Sequence, residues 1–283
     1  MTKPVAVRLQ GKDKLSLAAD AWGEATDAPI LLSHGGGQTR HSWQGTARVL
    51  SERGWHVVNY DHRGHGESDW SPDGIYKIET HAQDQEHIAR SFTQPPIVVG
   101  ASLGGLSALL AQGDSEQQLY RAIILVDIVP QMDQRGAAEI IAFMERTNSA
   151  GFDTLEEAAG VIAGYTGRKK RVSPQGLGKN LRLGEDGKYR WHWDPARRSG
   201  QPVNSAYRQR LHECADKMEL PTLLVRGGLS DGLSEEGAQS FLKQCPHAEY
   251  VNVKNAAHMV AGDRNDIFAD SVIEFLARAA PAR

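Results

Sequence analysis

The pentapeptide Gly-Ala-Ser-Leu-Gly at residues 100–104 constrains the fold most, because of what lies on either side of it. The apolar run at residues 96–99 predicts a buried strand, and the run at residues 105–111 is typical of a helix. Glycines on both sides of Ser102 allow a sharp turn that lifts the hydroxyl above the sheet, where a base and a substrate can reach it. The pattern predicts a nucleophile-bearing turn, although a glycine-rich connection with an idle serine would share it.

A glycine-rich loop upstream supplies the second part of an acyl-transfer site. Residues 29–33 predict a short buried strand that leads into His-Gly-Gly-Gly-Gln at residues 34–38. Acyl transfer needs fixed N–H donors where negative charge develops on the carbonyl oxygen. We predict an oxyanion hole formed by the N–H groups of Leu103 and Gly36, with Gly37 as the next choice. Alone, three glycines would indicate a close backbone approach; beside the serine turn, the catalytic interpretation is favoured.

Two further strand ends carry an acid and a histidine. The apolar run at residues 221–226 is followed by a loop that contains Asp231, and the run at residues 248–253 leads to His258. Ligands and reacting groups gather at the carboxyl ends of parallel strands, which is where Ser102 is also expected. The chain order of serine, acid and histidine is the one expected of α/β-hydrolases and differs from the order on other triad folds.

Four segments together resemble the α/β-hydrolase family with a helical cap, from about residue 25 to the C-terminus. They are residues 34–37, 61–68, 100–104 and 257–264. The resemblance implies an α/β fold with a mostly parallel central sheet flanked by helices and a helical cap insertion. It also implies a triad of Ser102, His258 and a carboxylate.

The segment at residues 61–68 is similar to the family's D-x-R-G-x-G-x-S turn, which is mainly structural in those proteins. The side chains of Asp61, Arg63 and Ser68 are therefore expected to hold this loop rather than to react. His62 and His65 are expected to be structural as well.

The triad carboxylate has more than one candidate. Asp231 is favoured, because the Arg-Gly-x-x-Ser-Asp loop matches the acid-bearing turn that is usual in the family. Asp127 ends the apolar run at residues 122–126, and some members of the fold carry the acid after that strand. If Asp231 is the acid, Asp127 would stabilise the cap junction. Asp263 is expected to begin the terminal helix, where it offsets the helix dipole.

The chain organisation follows from where the strand pattern stops. Two β-like runs at residues 5–9 and 15–22 predict a hairpin at the sheet edge, and alternating strands and helices follow. Between residues 128 and 220 helix-like runs replace the strands, which predicts a helical cap inserted into a core of residues 1–127 and 221–283. Such a lid roofs the nucleophile, so cap residues are expected to select the substrate.

Apolar side chains of the cap and of the histidine loop are the candidates for the substrate pocket. Phe143, Trp191, Trp193 and Met259 are predicted to line it. For the two tryptophans, a structural role in which they wedge the cap onto the core is favoured over contact with the substrate. Phe143, with Met144, also has the helical spacing of a cap interior.

The composition gives no sign of a nucleic-acid-binding, membrane-bound or disulfide-rich protein. With 283 residues, a net charge of −3 and a pI near 6.4, the chain gives no reason to expect nucleic acid or a membrane surface as a partner. Two cysteines, Cys214 and Cys245, form no disulfide framework, and the N-terminus has no signal-type apolar segment, so a cytoplasmic location is expected. The 11 histidines show no zinc-binding spacing, and neither a metal nor an organic cofactor is expected.

The sequence predicts a serine hydrolase that cleaves a carboxylic ester, or a related acyl bond, of a small and largely apolar substrate. Ser102 would attack, His258 would transfer the proton, and Asp231 would orient the histidine. Two alternatives on the same triad are a carbon–carbon bond hydrolase and a cofactor-free perhydrolase of the haloperoxidase type. An alternative of another class is a non-catalytic scaffold that binds a ligand in the pocket.

Overall fold

An eight-stranded sheet forms the centre of the computed structural model, which describes residues 3–132, 134–165, 173–196, 205–258 and 265–281. The strands in chain order are β1 Val5–Gln10, β2 Ser16–Trp22, β3 Ala28–Ser33, β4 Trp55–Tyr60, β5 Ile97–Ala101, β6 Ala122–Val126, β7 Leu181–Leu183, β8 Tyr189–Trp191, β9 Thr222–Gly227 and β10 Glu249–Val253. The sheet order is β1-β2-β4-β3-β5-β6-β9-β10, and β7 pairs with β8 in a separate hairpin. Strand β2 is antiparallel to both of its neighbours, whereas the pairs from β4 to β10 are parallel.

Helices cover both faces of this sheet. The α-helices of the described residues are α1 Gln44–Ser51, α2 Ile78–Ser91, α3 Leu103–Asp114, α4 Gln134–Ala150, α5 Leu155–Tyr165, α6 Pro174–Leu177, α7 Ser205–Asp216, α8 Glu235–Gln244 and α9 Asn265–Ala279. Helices α1 and α9 pack on one face, and α2, α3, α7 and α8 pack on the other. The predicted architecture, a mostly parallel sheet between two helical layers, is confirmed.

Strand β6 shows why these residues form a central strand. Ala122, Ile124 and Val126 lie in the apolar cluster on one face, while Ile123 and Leu125 lie in the cluster on the other. A strand covered by helices on both faces must be apolar at every position, because successive side chains point to opposite faces. The predicted hairpin of β1 and β2 at the sheet edge is also confirmed.

The residues predicted to form the cap, 128–220, do not all pack together. Helices α4, α5 and α6 and the β7–β8 hairpin share an apolar cluster of their own. Helix α7 instead packs on α3, and its Leu211 and Cys214 belong to a cluster of the core. Ile128 and Val129 also belong to that core cluster. An amphipathic helix has the same sequence pattern whichever apolar cluster it packs in, so the pattern alone does not distinguish these two groups of helices.

A buried ion pair holds the turn that follows β4. Arg63 Nε and Nη2 each donate to an oxygen of Asp84 at 2.6 Å, and the Lys12 N–H donates to the same carboxylate at 2.8 Å. The two side chains are 2% and 0% exposed. The turn is therefore fixed to α2 by a bidentate contact from which water is excluded.

Replacing Arg63 by methionine is expected to lower the free energy of unfolding by about 3–5 kcal/mol, because it leaves the Asp84 carboxylate buried without its cation. Arg210→Met is the matched control. Arg210 pairs with Asp114 at the surface, where both side chains are more than a third exposed, and its loss should cost less than about 1 kcal/mol. Urea unfolding of both variants measures the difference, and equal losses would contradict the prediction.

Candidate active site

Ser102 lies in a strained turn between β5 and α3. Its φ of +46° and ψ of −113° place a non-glycine residue in a region that such residues rarely adopt. A Cβ on Gly100 would lie 2.6 Å from Gly105 Cα, and one on Gly104 would collide with the carbonyl oxygen of Ser33. The chain can therefore make this turn only with glycine at both positions, and the turn leaves Ser102 partly exposed.

His258 follows β10 and contacts an acid from a strand two positions away in the sheet. Its Nδ1 lies 2.7 Å from Oδ2 of Asp127, the residue directly after β6. Asp127 is fully buried and has a φ of +53°, whereas the His258 side chain is 21% exposed. The Gly227 N–H donates to Asp127 Oδ1 at 2.8 Å, and the Ser230 hydroxyl donates to Oδ2. The carboxylate is thus desolvated and oriented by three hydrogen bonds.

The prediction that Asp231 orients His258 is contradicted by this contact. Asp231 is exposed, and the residue of its loop that reaches the buried carboxylate is Ser230. Strands β6 and β9 are parallel neighbours, so the loops after both strands open at the same sheet edge. Asp127, the alternative from the sequence, is the acid that the structure places beside the histidine. The third carboxylate, Asp263, lies outside the described residues.

The glycine-rich loop after β3 lies against the serine turn. A Cβ on Gly35 would be 3.4 Å from Ser102 Cβ. The Gly35 N–H donates to Oε1 of Gln38 at 2.9 Å, and the Gly37 N–H donates to Nε2 of His65 at 3.2 Å. Gly37 is thereby committed to another acceptor, which contradicts its place among the predicted oxyanion donors. Leu103 begins α3, where the first N–H groups have no partner within the helix.

Cap side chains cover the same loop. A Cβ built on Gly37 would lie 2.5 Å from Trp193 Cζ3 and still closer to Met144 Cε, so both side chains pack directly against this glycine. Trp191 stacks on Trp193 with ring centroids 5.9 Å apart. Trp193 and Met144 therefore adjoin the glycine loop.

The other predicted pocket residues have different surroundings. Phe143 stacks on Tyr165 at 3.8 Å, and the Trp191 indole donates to Thr147 at 2.9 Å, both within the cap. These contacts favour a structural role in the cap interior for Phe143 and Trp191. Met259 lies outside the described residues.

Four histidines beneath the loop, His34, His62, His65 and His81, are fully buried. His34 Nδ1 lies 2.8 Å from the Gly35 carbonyl oxygen, and its Nε2 accepts the His62 N–H at 3.0 Å, so His34 is neutral. Burial, together with the neighbouring histidines, holds the pKa of His62 well below its usual value. Among the described residues no group of three or more His, Cys, Asp or Glu is arranged to hold a metal ion.

Comparison with known proteins identifies the family of the chain. The model of the alpha/beta hydrolase family matches residues 30–271. The chain belongs to the alpha/beta hydrolase family. Esterase Rv0045c of Mycobacterium tuberculosis is 28% identical to this hydrolase over 257 residues, which cover 88% of the chain and 82% of that protein. The sn-1-specific diacylglycerol lipase ABHD11 of Mus musculus is 26% identical over 266 residues, covering 90% and 83%.

Solved structures show the same fold. A crystal structure of an alpha/beta hydrolase from Novosphingobium aromaticivorans superposes on this hydrolase with a TM-score of 0.81 at 22% identity, covering 98% of this chain and 99% of the other. None of the helices within the described ranges is long and apolar enough to cross a membrane.

Proposed function

We propose that this hydrolase cleaves a carboxylic ester, or a related acyl bond, of a small and largely apolar substrate through Ser102, His258 and Asp127. The observation that carries the proposal is the 2.7 Å contact between His258 Nδ1 and the fully buried Asp127 carboxylate. Ser102 directly follows β5, the strand next to β6, in a turn strained in the way that a nucleophile elbow requires.

The hydrogen bond to Asp127 supports the role proposed for the histidine. An ionised carboxylate only accepts hydrogen bonds, so His258 carries its hydrogen on Nδ1 and presents Nε2 as the base. Nε2 takes the Ser102 proton as Oγ attacks the carbonyl carbon, and Asp127 stabilises the imidazolium that forms. The N–H groups of Leu103 and Gly36 hold the oxyanion of the tetrahedral intermediate.

Collapse of that intermediate releases the first product. The bond from the carbonyl carbon to the alcohol oxygen breaks, and His258 donates its Nε2 proton to the leaving alkoxide. A water molecule then loses a proton to Nε2 as its oxygen attacks the acyl-enzyme carbonyl. Ser102 leaves with that proton, and the acid product departs. Side chains, two backbone N–H groups and water supply every step.

Two further observations support an apolar ester. Trp193 and Met144 border the glycine loop on the cap side, so an acyl or alcohol group bound there would contact apolar surface. Relatives that resemble the chain over most of its length are named as an esterase and a diacylglycerol lipase. Both names describe cleavage of an ester bond.

A fluorophosphonate probe tests the proposal, because it reacts only with an activated serine. We expect one adduct by intact mass, mapped to Ser102 by peptide sequencing, and turnover of p-nitrophenyl esters in a panel of rising acyl length. The preferred acyl length measures the depth of the pocket. A folded protein with neither an adduct nor turnover would contradict a serine hydrolase and favour a ligand-binding scaffold.

A further inference from the structure

His65 makes a contact that the reaction described above does not use. Its Nε2 accepts the N–H of Gly37 at 3.2 Å, and its Nδ1 lies 3.0 Å from the carbonyl oxygen of Arg63. An amide N–H can donate only to an unprotonated ring nitrogen, so Nδ1 carries the hydrogen and donates to Arg63. The imidazole is therefore neutral, in one tautomer, and links the turn after β4 to the glycine loop.

The turn that carries His65 is fixed from two sides. On the core side, Arg63 is paired with buried Asp84. On the cap side, the Gly66 N–H donates to the His192 carbonyl at 2.7 Å, and the Asp194 N–H donates to the Gly64 carbonyl at 2.8 Å. An imidazole on so rigid a turn can hold a partner loop in one position.

The glycine loop needs such a support. Three consecutive glycines restrict their backbone little, and Gly37 has a φ of +79°. Gln38 takes the N–H of Gly35, and His65 takes the N–H of Gly37. Within the part of the chain that the structure describes, no acceptor takes the N–H of Gly36, which lies between them. The loop is anchored at both ends, and its middle donor is left for a substrate.

We propose that His65 is a positioning residue for the oxyanion hole: by accepting the Gly37 N–H, it holds the loop so that the Gly36 N–H faces the reacting carbonyl. The inference rests on the proposed function, since it needs an oxyanion beside Ser102. Loss of this hydrogen bond would weaken a contact that strengthens as charge develops in the transition state, so it should lower kcat rather than raise KM.

Two substitutions separate this role from packing. His65→Leu fills the space without an acceptor, whereas in His65→Gln the side-chain carbonyl can accept the Gly37 N–H. With the best p-nitrophenyl ester, we expect His65→Leu to lower kcat about 10- to 100-fold with KM within about threefold of wild type. The decrease in log kcat for His65→Gln should be at most half of the decrease for His65→Leu. A wild-type kcat in His65→Leu, or equal losses in two folded variants, would overturn the proposal.

His56 provides the matched control. It lies near the amino end of β4, opposite the site, with its ring 6.4 Å from that of Phe92. His56→Leu and His56→Gln should keep kcat within about twofold of wild type, because no reacting group depends on them. A loss of kcat at His56 equal to that at His65 would mean that histidine loss acts through general destabilisation, and would also overturn the proposal.

Nitrogen-15 NMR of the wild-type enzyme keeps the proposal testable if His65→Leu does not fold. A scalar coupling across the hydrogen bond, from the Gly37 amide nitrogen to His65 Nε2, is expected, with the ring hydrogen on Nδ1. A protonated Nε2 without that coupling would overturn the assignment. Ester turnover and Ser102 labelling of the same wild-type sample report on the proposed function separately, so its failure is distinguishable from failure at His65.

Discussion

Replacing Ser102 by alanine is expected to lower ester turnover by about 10⁴-fold or more and to abolish fluorophosphonate labelling. The substitution removes only the hydroxyl oxygen, in a turn whose geometry is set by Gly100 and Gly104. The melting temperature should therefore stay within a few degrees of wild type, which separates loss of chemistry from loss of fold. Initial rates on the best p-nitrophenyl ester, with thermal unfolding of the same samples, measure both effects.

Ser91→Ala is the control for this experiment. Ser91 ends α2, where its hydroxyl donates to the Ile88 carbonyl at 2.7 Å, and it takes no part in the site. This variant should label and turn over ester within about twofold of wild type. If Ser102→Ala kept a substantial share of the wild-type rate, another residue would be the nucleophile.

Asp127→Asn is expected to lower kcat by about 10⁴-fold, whereas Asp231→Asn should stay within about twofold of wild type. Asparagine can offer an amide hydrogen to His258 Nδ1, which favours the tautomer that carries its hydrogen on Nε2 and so removes the base. Asp231 is exposed, and its loss leaves the 2.7 Å contact intact. Steady-state kinetics on one ester compare the two variants under identical conditions.

The kinetics of these two variants could also contradict the assignment of Asp127. A large loss in Asp231→Asn with a normal Asp127→Asn would restore the acid that the sequence favoured. It would also mean that the loop after β9 rearranges in the working enzyme. Circular dichroism of both proteins is needed beside the kinetics, because Asp127 is fully buried and accepts three hydrogen bonds.

The fold was readable from sequence because the central strands are covered on both faces. Continuous apolar runs such as β6 and the alternation with helices determine a parallel sheet. Ser102 directly follows β5, and His258 lies in the loop after β10. The choice of acid was not readable in the same way. Asp127 and Asp231 follow neighbouring parallel strands, and only the conformation of the loops decides which carboxylate reaches His258.

The glycine loop after β3 shows a second limit of the sequence. Three glycines in a row identify a loop that can offer N–H groups, but not which of them is offered. That choice depends on the acceptors around the loop, and one of them, His65, is 28 positions along the chain from Gly37. The acceptor is a side chain of the turn after β4, so only the folded chain brings it to the glycine.

Asp127, the proposed acid, lies just before the segment that was predicted to form the cap. Ile128 and Val129 pack in the core cluster, and α7 brings the chain back onto α3. The segment between Val129 and α7 could therefore be exchanged for that of a relative without loss of the contacts of Asp127. In an evolving lineage, the segment predicted to select the substrate could diverge or be replaced as a unit while the contact between Asp127 and His258 is kept.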